Sequence, residues 1–133
     1  MSRSRSFMFV LLALGLGSAG CGAPNHQPVI TAGPRPLGSP STPGGLQFEE
    51  GTVIQLQLEV TDADNDEIYF RWTQNPSNSG GVFSDPSIAM PTWTAPKPLD
   101  DPHQPIYLYV EVEDRNGGVL LGQSPPLFIV PKQ

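Results

Sequence analysis

The chain has 133 residues, 38% of them hydrophobic, and a formal net charge of −6, which suits a single globular domain. Sixteen prolines and fourteen glycines, together with the lack of sustained helical apolar spacing in the interior, exclude long helices and favour an all-β class. The acidic balance argues against nucleic acid as a partner.

The first twenty residues have the three parts of an export signal. A basic start with Arg3 and Arg5 precedes an apolar run from Phe7 to Leu16, and a string of small residues follows at 17–20. The apolar run is shorter than the about 20 residues that a membrane-spanning helix needs, so we favour cleavage over a retained transmembrane anchor. We predict a signal peptide over residues 1–20.

The only cysteine, Cys21, stands at the predicted cleavage boundary. The segment Ser18-Ala19-Gly20-Cys21 resembles the lipobox of bacterial lipoproteins, which implies that Cys21 becomes the lipidated first residue of the mature chain. The acyl chains that such processing attaches would hold the protein on a membrane of the bacterial cell envelope. Gly22, in place of Asp, favours the outer membrane. The alternative is an incidental cysteine in an ordinary signal peptide.

Proline, glycine, serine and threonine dominate residues 22–45. The only apolar cluster in this segment, Pro28 to Thr31, predicts a short first strand. We expect residues 21–27 to be a flexible tether, the domain to span residues 28–131, and the segment 33–45 within it to be mobile. The residues on either side of the predicted first strand have too little apolar surface to offset the entropy lost on ordering them.

Two strand-like runs between Thr52 and Thr73 form the clearest predicted element, a hairpin. Apolar residues occupy every second position in both runs, which is typical of strands with one buried face. The sequence between them, Asp-Ala-Asp-Asn-Asp at 62–66, is rich in residues that favour turns. The predicted inward residues are Ile54, Leu56, Leu58 and Val60 in the first run and Ile68, Phe70 and Trp72 in the second.

Shorter strands follow in the second half of the chain. Residues 82–83 predict one, and residues 91–96 predict a brief strand bounded by prolines, which suits an edge or a terminus of a sheet. Apolar residues at every second position over residues 106–113 predict another strand. A turn at 114–118 then leads to a last strand or two within 119–130. About seven short strands predict an immunoglobulin-like antiparallel sandwich.

Four short patterns together resemble the bacterial relatives of PKD (polycystic kidney disease) and cadherin-like domains. They are Gly51-x-Val53, Asp62-x-Asp64-x-Asp66, Ile68-x-Phe70-x-Trp72 and Val110-x-Val112-x-Asp114-x-x-Gly117. The resemblance covers most of residues 46–130 and implies an immunoglobulin-like fold with an adhesion or binding role. We expect Trp72 to lie between the two sheets. The other predicted core residues are Phe70, Leu56, Leu58, Val110 and Val112.

The predicted turns put acidic residues at one end of the sandwich. In an immunoglobulin-like topology the loop 62–66 and the turn 114–118 lie at the same end, where the first strand also begins. Carboxylate and amide oxygens are the ligands that Ca²⁺ takes, and the cadherin-like resemblance implies calcium at this end. The predicted ligands of a weak calcium site are Asp62, Asp64, Asp66, Asp114 and Asn116. The alternative is that these side chains close their own turns by hydrogen bonds to the backbone.

Groups that could cooperate in catalysis do not cluster in the sequence. His26 lies in the predicted tether and His103 in a proline-rich loop, with no nucleophile near either. Zinc-ligand spacing and a phosphate-binding glycine loop are also missing from the sequence. We therefore expect a protein that is not an enzyme.

Two non-catalytic functions fit this pattern. In the first, a lipid-anchored adhesion or binding module meets a protein or glycan through the loops 74–81 and 96–105, which point away from the membrane if the chain enters at the acidic end. In the second, the domain is a passive structural or accessory subunit of an envelope assembly. The aromatic residues that we consider for partner contact are Trp93, Tyr107 and Tyr109, and the alternative for the tyrosine pair is stabilisation of the sheet.

Overall fold

A computed structural model of the protein describes residues 22–39 and 44–133. The predicted signal peptide at 1–20 and the predicted lipidation site, Cys21, lie outside these residues. Within the described ranges, no helix is long and apolar enough to cross a membrane. The described residues form nine strands: β1 (Val29–Pro36), β2 (Leu46–Glu49), β3 (Val53–Thr61), β4 (Ile68–Asn75), β5 (Val82–Phe83), β6 (Thr92–Thr94), β7 (Tyr107–Asp114), β8 (Val119–Gln123) and β9 (Leu127–Val130).

Two antiparallel sheets enclose a common core. One has the strand order β1-β3-β6-β5 and the other the order β4-β7-β8, while β2 makes a parallel pair with β9. These orders are those of the immunoglobulin constant-type sandwich, A-B-E-D against C-F-G. The prediction of an all-β immunoglobulin-like antiparallel sandwich is therefore confirmed. The strand count becomes about seven when β1 with β2, and β8 with β9, are each taken as one interrupted strand.

Side chains from β3, β4 and β7 fill the space between the sheets. Leu56 and Leu58 of β3 are buried, as are Val110 and Val112 of β7. Their spacing of two residues puts each pair on one face of its strand. The ring of Trp72, in β4, is 3% exposed.

Phe70 lies on the same face of β4 as Trp72. Its side chain is half-buried and packs against the core that includes Trp72. Phe70 thus covers the core from the side of the loop between β3 and β4, whereas Trp72 lies inside it.

Trp93 occupies a place that differs from our prediction. It lies in β6, which is between β3 and β5 and not at an edge. Pro91 and Pro96 stand outside the strand, so neither removes a hydrogen bond from within it. The Trp93 side chain is fully buried, and its Nε1 donates a hydrogen bond to Oε1 of Gln74 at 2.9 Å. The prediction that Trp93 contacts a partner is wrong.

β1 is longer than the predicted first strand. It runs on to Pro36, so its second half lies in the segment 33–45 that we expected to be mobile. Arg35 pairs with Gln57 of β3, and the register shifts twice along the strand. Pairing with β3 gives the backbone N–H and C=O groups of this segment hydrogen-bond partners. Composition alone predicts a loop because it does not show this pairing. The domain limits of 28 and 131 stay predictions.

Strand register places the loops at two opposite ends of the sandwich. The start of β1 lies beside the end of β3, and the start of β4 lies beside the end of β7. Residues 62–67 and 114–118 therefore share one end with the start of β1, and we call this end the acidic pole. β4 finishes beside the beginning of β7 at the opposite end. The loops 76–81 and 95–105 lie there, and we call this end the distal pole.

Candidate functional site

Three carboxylates converge in the loop between β3 and β4. Oδ1 of Asp62 accepts hydrogen bonds from the backbone N–H groups of Asp64 at 2.9 Å and Asp66 at 3.1 Å, which folds the loop around this side chain. Asn65 adopts a left-handed conformation with φ 56°, which Asn tolerates better than most residues. Asp62, Asp64 and Asp66 each offer one carboxylate oxygen, and these oxygens lie within 4.8 Å of one another.

The second carboxylate oxygen of Asp62, Oδ2, is buried. It has no hydrogen-bond partner among the described residues. A buried charged oxygen without a partner has a cost in free energy that a donor or a cation would offset. This oxygen can therefore accept a bond from either a hydrogen-bond donor or a cation.

Asp114, a predicted calcium ligand, instead closes the turn between β7 and β8. It is buried, and its Oδ1 accepts hydrogen bonds from the backbone N–H groups of Asn116 and Gly118, both at 2.8 Å. Its Oδ2 accepts a hydrogen bond from Nδ2 of Asn25 at 3.0 Å. The bond from Asn25, followed by those from the backbone, lowers the pKa of Asp114 below its ordinary value. Both oxygens of Asp114 are thus bound by the protein itself.

Asn116, the fifth predicted ligand, joins the two loops of the acidic pole. Its Nδ2 donates a hydrogen bond to Oδ2 of Asp66 at 2.6 Å. The structure thus brings all five predicted residues to one end of the sandwich. Asp114 and Asn116 make hydrogen bonds that shape the pole, and the three clustered carboxylates belong to Asp62, Asp64 and Asp66.

The segment before β1 is fastened to this same pole, although we predicted residues 21–27 to be a flexible tether. The backbone N–H of His26 donates to Oδ2 of Asp64 at 2.6 Å, and Nδ1 of His26 lies 3.0 Å from Oδ1 of Asp64. Asn25 makes the bond to Asp114 described above. The bonded residues are 38 and 89 positions apart in the chain, so no local sequence signal could have revealed these contacts.

The pair of His26 and Asp64 gives the docked segment a pH dependence. Hydrogen bonding and the charge of Asp64 raise the pKa of His26 above its ordinary value of 6.5. Hydrogen bonds from the backbone and ring of His26 lower the pKa of Asp64 below its ordinary value of 3.8. The His26 contribution to stability is complete below pH 6.5 and is lost as the pH rises through the raised pKa. The Asp64 contribution is present above pH 3.8 and is lost as the pH falls through the lowered pKa.

We expect NMR titration of the His26 ring in the native protein to give a pKa above 6.5, and the Asp64→Asn variant to return it toward that value. The substitution removes the negative charge and keeps the size of the side chain. A His26 titration curve that is the same in both proteins would show that Asp64 does not hold the segment.

The distal pole contains a groove between its two loops. Its volume is about 420 Å³. One wall comes from the loop 76–81, and the other comes from residues 97–104. The lining residues are Pro76, Asn78, Ser79, Lys97, Pro98, Leu99, Asp100 and Gln104. The structure thus brings together the two loops that we predicted to meet a partner.

The two histidines lie at opposite poles of the sandwich. His26 contacts Asp64 at the acidic pole, and the backbone N–H of His103 donates to Oδ1 of Asp101 in the loop 95–105. Among the described residues, no serine or threonine hydroxyl makes a hydrogen bond to either imidazole ring. Within the described residues, neither imidazole is therefore paired with a serine or threonine hydroxyl as a base is with its nucleophile in acyl transfer.

No family model matches the chain, and no curated protein matches it. Among solved structures, it is similar to a nucleoside hydrolase-related hypothetical protein from Saccharophagus degradans that is associated with carbohydrate metabolism, with a TM-score of 0.53 and 16% identity over 81% of this chain. The chain spans 26% of the length of that protein, and at this identity the similarity shows the fold alone.

Two further solved structures are also similar to the chain. The tandem Ig repeats of Dlar give a TM-score of 0.48 and 17% identity, over 82% of this chain and 49% of that one. The titin domains Z1Z2 in complex with telethonin give a TM-score of 0.46 and 11% identity, over 83% of this chain and 51% of that one.

Proposed function

We propose that the protein is an exported lipoprotein that displays a non-catalytic immunoglobulin-like binding or adhesion module at the surface of a bacterial envelope membrane. One observation carries the proposal. The segment that leads into the domain and the loops that form the groove lie at opposite ends of the sandwich. Asn25 and His26 fasten the entering chain to the acidic pole. A domain anchored through that end turns the loops 76–81 and 95–105 away from the membrane. Partners therefore meet the distal pole.

The lipid anchor rests on the motif Ser18-Ala19-Gly20-Cys21 and on Gly22, which favours the outer membrane. We expect Cys21→Ser, produced in a bacterial host, to release the protein from membranes, because serine at this position cannot take the thioether-linked lipid. Membrane fractionation with mass spectrometry of the N-terminal peptide measures this. Ser18→Leu is the matched control and should stay membrane-bound. A Cys21→Ser protein that remains in the membrane fraction as the parent does contradicts the lipoprotein proposal.

A passive structural or accessory subunit of an envelope assembly is the second candidate function. One outer face of the sandwich favours it, because Val53 of β3 and Val82 of β5 flank Thr94 of β6 in register. Both valine side chains are more than 60% exposed. Such an exposed apolar pair on the outer face of a sheet suits lateral packing against a larger assembly.

Site-specific photo-cross-linking separates the two functions. A cross-linking residue in place of Asn78 reports contacts of the distal pole, and one in place of Val53 reports contacts of the sheet face. The binding module predicts cross-links from position 78 to a partner outside the cell. Cross-links from position 53 alone, to envelope components recovered at fixed stoichiometry, favour the accessory subunit and contradict the binding module.

We also propose that the acidic pole holds a weak calcium site formed by Asp62, Asp64 and Asp66. Ca²⁺ takes about six to eight oxygen ligands, and the three clustered carboxylates supply the charged ones. The buried Oδ2 of Asp62 is the atom that fits a cation best, because it has no partner among the described residues. Asn116 supports the site by orienting Asp66. Extracellular modules of this kind bind Ca²⁺ with a Kd of about 10⁻⁴–10⁻³ M.

We expect Ca²⁺ to raise the Tm of the unlipidated Cys21→Ser protein. At five times Kd the ligand adds about 1 kcal/mol, which is about 4–8 °C for a domain of roughly 100 residues. Asp62→Asn should abolish the rise, and Asp100→Asn, at the distal pole, should leave it unchanged. The calcium site is contradicted if the Tm does not rise at Ca²⁺ concentrations several times the expected Kd, or if it rises equally in the Asp62→Asn protein.

A further inference from the structure

Two opposite charges line the distal groove without partners. Lys97 and Asp100 both contribute to its wall. Within the described part of the chain, neither side chain makes an ion pair or a hydrogen bond, and the three ion pairs that are present belong to other residues. Because both charges are free, a ligand with the complementary charges can pair with them without first breaking an internal contact.

Neutral polar groups accompany these charges. The amide side chains of Asn78 and Gln104 line the groove, and neither makes a hydrogen bond to another described residue. An amide side chain offers two N–H donors and a carbonyl acceptor, which match the groups of a peptide main chain. The groove therefore presents hydrogen-bonding groups suited to an extended peptide.

Ser79 also lines the groove, but its hydroxyl is buried below the surface that a ligand would meet. Its side chain is 7% exposed, and its Oγ is buried without a hydrogen-bond partner among the described residues. A ligand in the groove would therefore meet the exposed amide of Asn78 and not the hydroxyl of Ser79. Ser79 lies in the wall of the groove, beside the free amide of Asn78.

The lining favours a peptide over a glycan. None of the lining residues is aromatic, so the groove has no ring on which a sugar face could stack. Trp93 is fully buried in the core and cannot serve as such a platform. The apolar part of the lining consists of Leu99 and two prolines, which suit the aliphatic parts of a peptide.

We propose that the distal groove binds an extended peptide segment that carries an acidic side chain for Lys97 and a basic side chain for Asp100. The amides of Asn78 and Gln104 pair with the main chain of this peptide. The inference rests on the proposed function, which places the partner at the distal pole, and it adds the chemical class of that partner.

The test is an NMR titration of the ¹⁵N-labelled Cys21→Ser protein with three peptides. They are acetyl-Glu-Ala-Ala-Lys-amide, its reverse acetyl-Lys-Ala-Ala-Glu-amide, and the uncharged acetyl-Gln-Ala-Ala-Gln-amide. We expect one charged peptide to bind best and to shift the amide signals of residues 76–81 and 97–104. Lys97→Gln and Asp100→Asn should each weaken its binding about two- to fivefold, since exposed ion pairs have modest strength.

Exchange of the two charges gives the sharpest readout. The double variant Lys97→Asp/Asp100→Lys should prefer the reverse peptide, because the positions of the positive and the negative charge in the groove are exchanged. Arg115→Gln, at the acidic pole, and Glu59→Gln, in β3, each remove one charge away from the groove and should leave binding unchanged.

Three outcomes overturn the inference. They are no response to any peptide, equal binding of the uncharged peptide, and an unchanged preference in the exchange variant. Shifts of the same loops with a chito-oligosaccharide, without any peptide response, overturn the peptide class but leave the proposed binding function standing. That function fails separately if position 78 yields no cross-link to an external partner.

Discussion

Trp72→Ala is expected to lower the free energy of unfolding by about 3–5 kcal/mol, a large share of the about 5–15 kcal/mol that stabilises a typical domain. The ring is 3% exposed and lies 6.0 Å from the ring of Phe83, measured between centroids. Its Nε1 also donates to the carbonyl of Ile88 at 2.9 Å. With a single cysteine, the chain has no internal disulfide to compensate. Denaturant unfolding of the Cys21→Ser protein measures the loss, with Trp93 as the remaining fluorophore.

Two further variants show which part of the Trp72 side chain matters. Trp72→Phe keeps a ring in the core but leaves the carbonyl of Ile88 without its donor, so we expect an intermediate loss. Tyr69→Ala alters the same strand on the opposite face, where the side chain is 43% exposed, and should cost about 1 kcal/mol or less. If Trp72→Ala and Tyr69→Ala have the same denaturant midpoint, the assignment of the inward face of β4 is wrong.

Alternation in sequence was sufficient to predict the faces of the long strands. The side chains of a strand alternate with a period of two, so a run of eight or nine residues contains several repeats of the pattern. Leu56 and Leu58 are buried, whereas Val53, an apolar residue of the other parity, is 64% exposed. Position in the pattern therefore predicted burial better than residue type did.

The position of β6 could not be read from its sequence. A strand of three residues is too short to show alternation, and its flanking prolines favoured an edge. Trp93 is buried because β6 pairs with β3 on one side and β5 on the other, and neither pairing could be seen from the sequence of β6 itself. The parallel pair of β2 with β9 was also unpredictable, because it joins residues 46–49 to residues 127–130, which are far apart in the sequence.

The acidic pole was predictable in its location but not in its contacts. Topology brought the loop 62–66 to the turn 114–118, because both follow from the order of strands in the sandwich. The roles of the side chains depend on the segment before β1, whose composition indicated a tether. Asn25 donates a hydrogen bond to Asp114, and His26 makes a hydrogen bond to Asp64. The segment before β1 and a cation would therefore compete for the carboxylate of Asp64.

Gly33→Ala is expected to have the second large effect. At Gly33 the backbone of β1 has a conformation, and lies at a distance from β3, that only glycine permits. Gly33 has φ +79°, which costs a residue with a side chain about 1–3 kcal/mol. A Cβ at this position would also overlap the carbonyl oxygen of Gln57 and lie 3.2 Å from Cα of Leu58. Relief of that overlap requires the backbone of β1 to move away from β3, at about 1–3 kcal/mol more.

Gly51→Ala is the matched control for this prediction. Gly51 has nearly the same φ, +77°, but a Cβ there would meet no atom within 4 Å, so it should show the conformational cost alone. We expect Gly33→Ala to be the more destabilising of the two in denaturant unfolding, and to increase hydrogen exchange in β1. The difference between the variants measures how closely β1 must approach β3. Equal losses in both variants would mean that Gly33 is needed for its conformation only, and that β1 can shift at this point without cost.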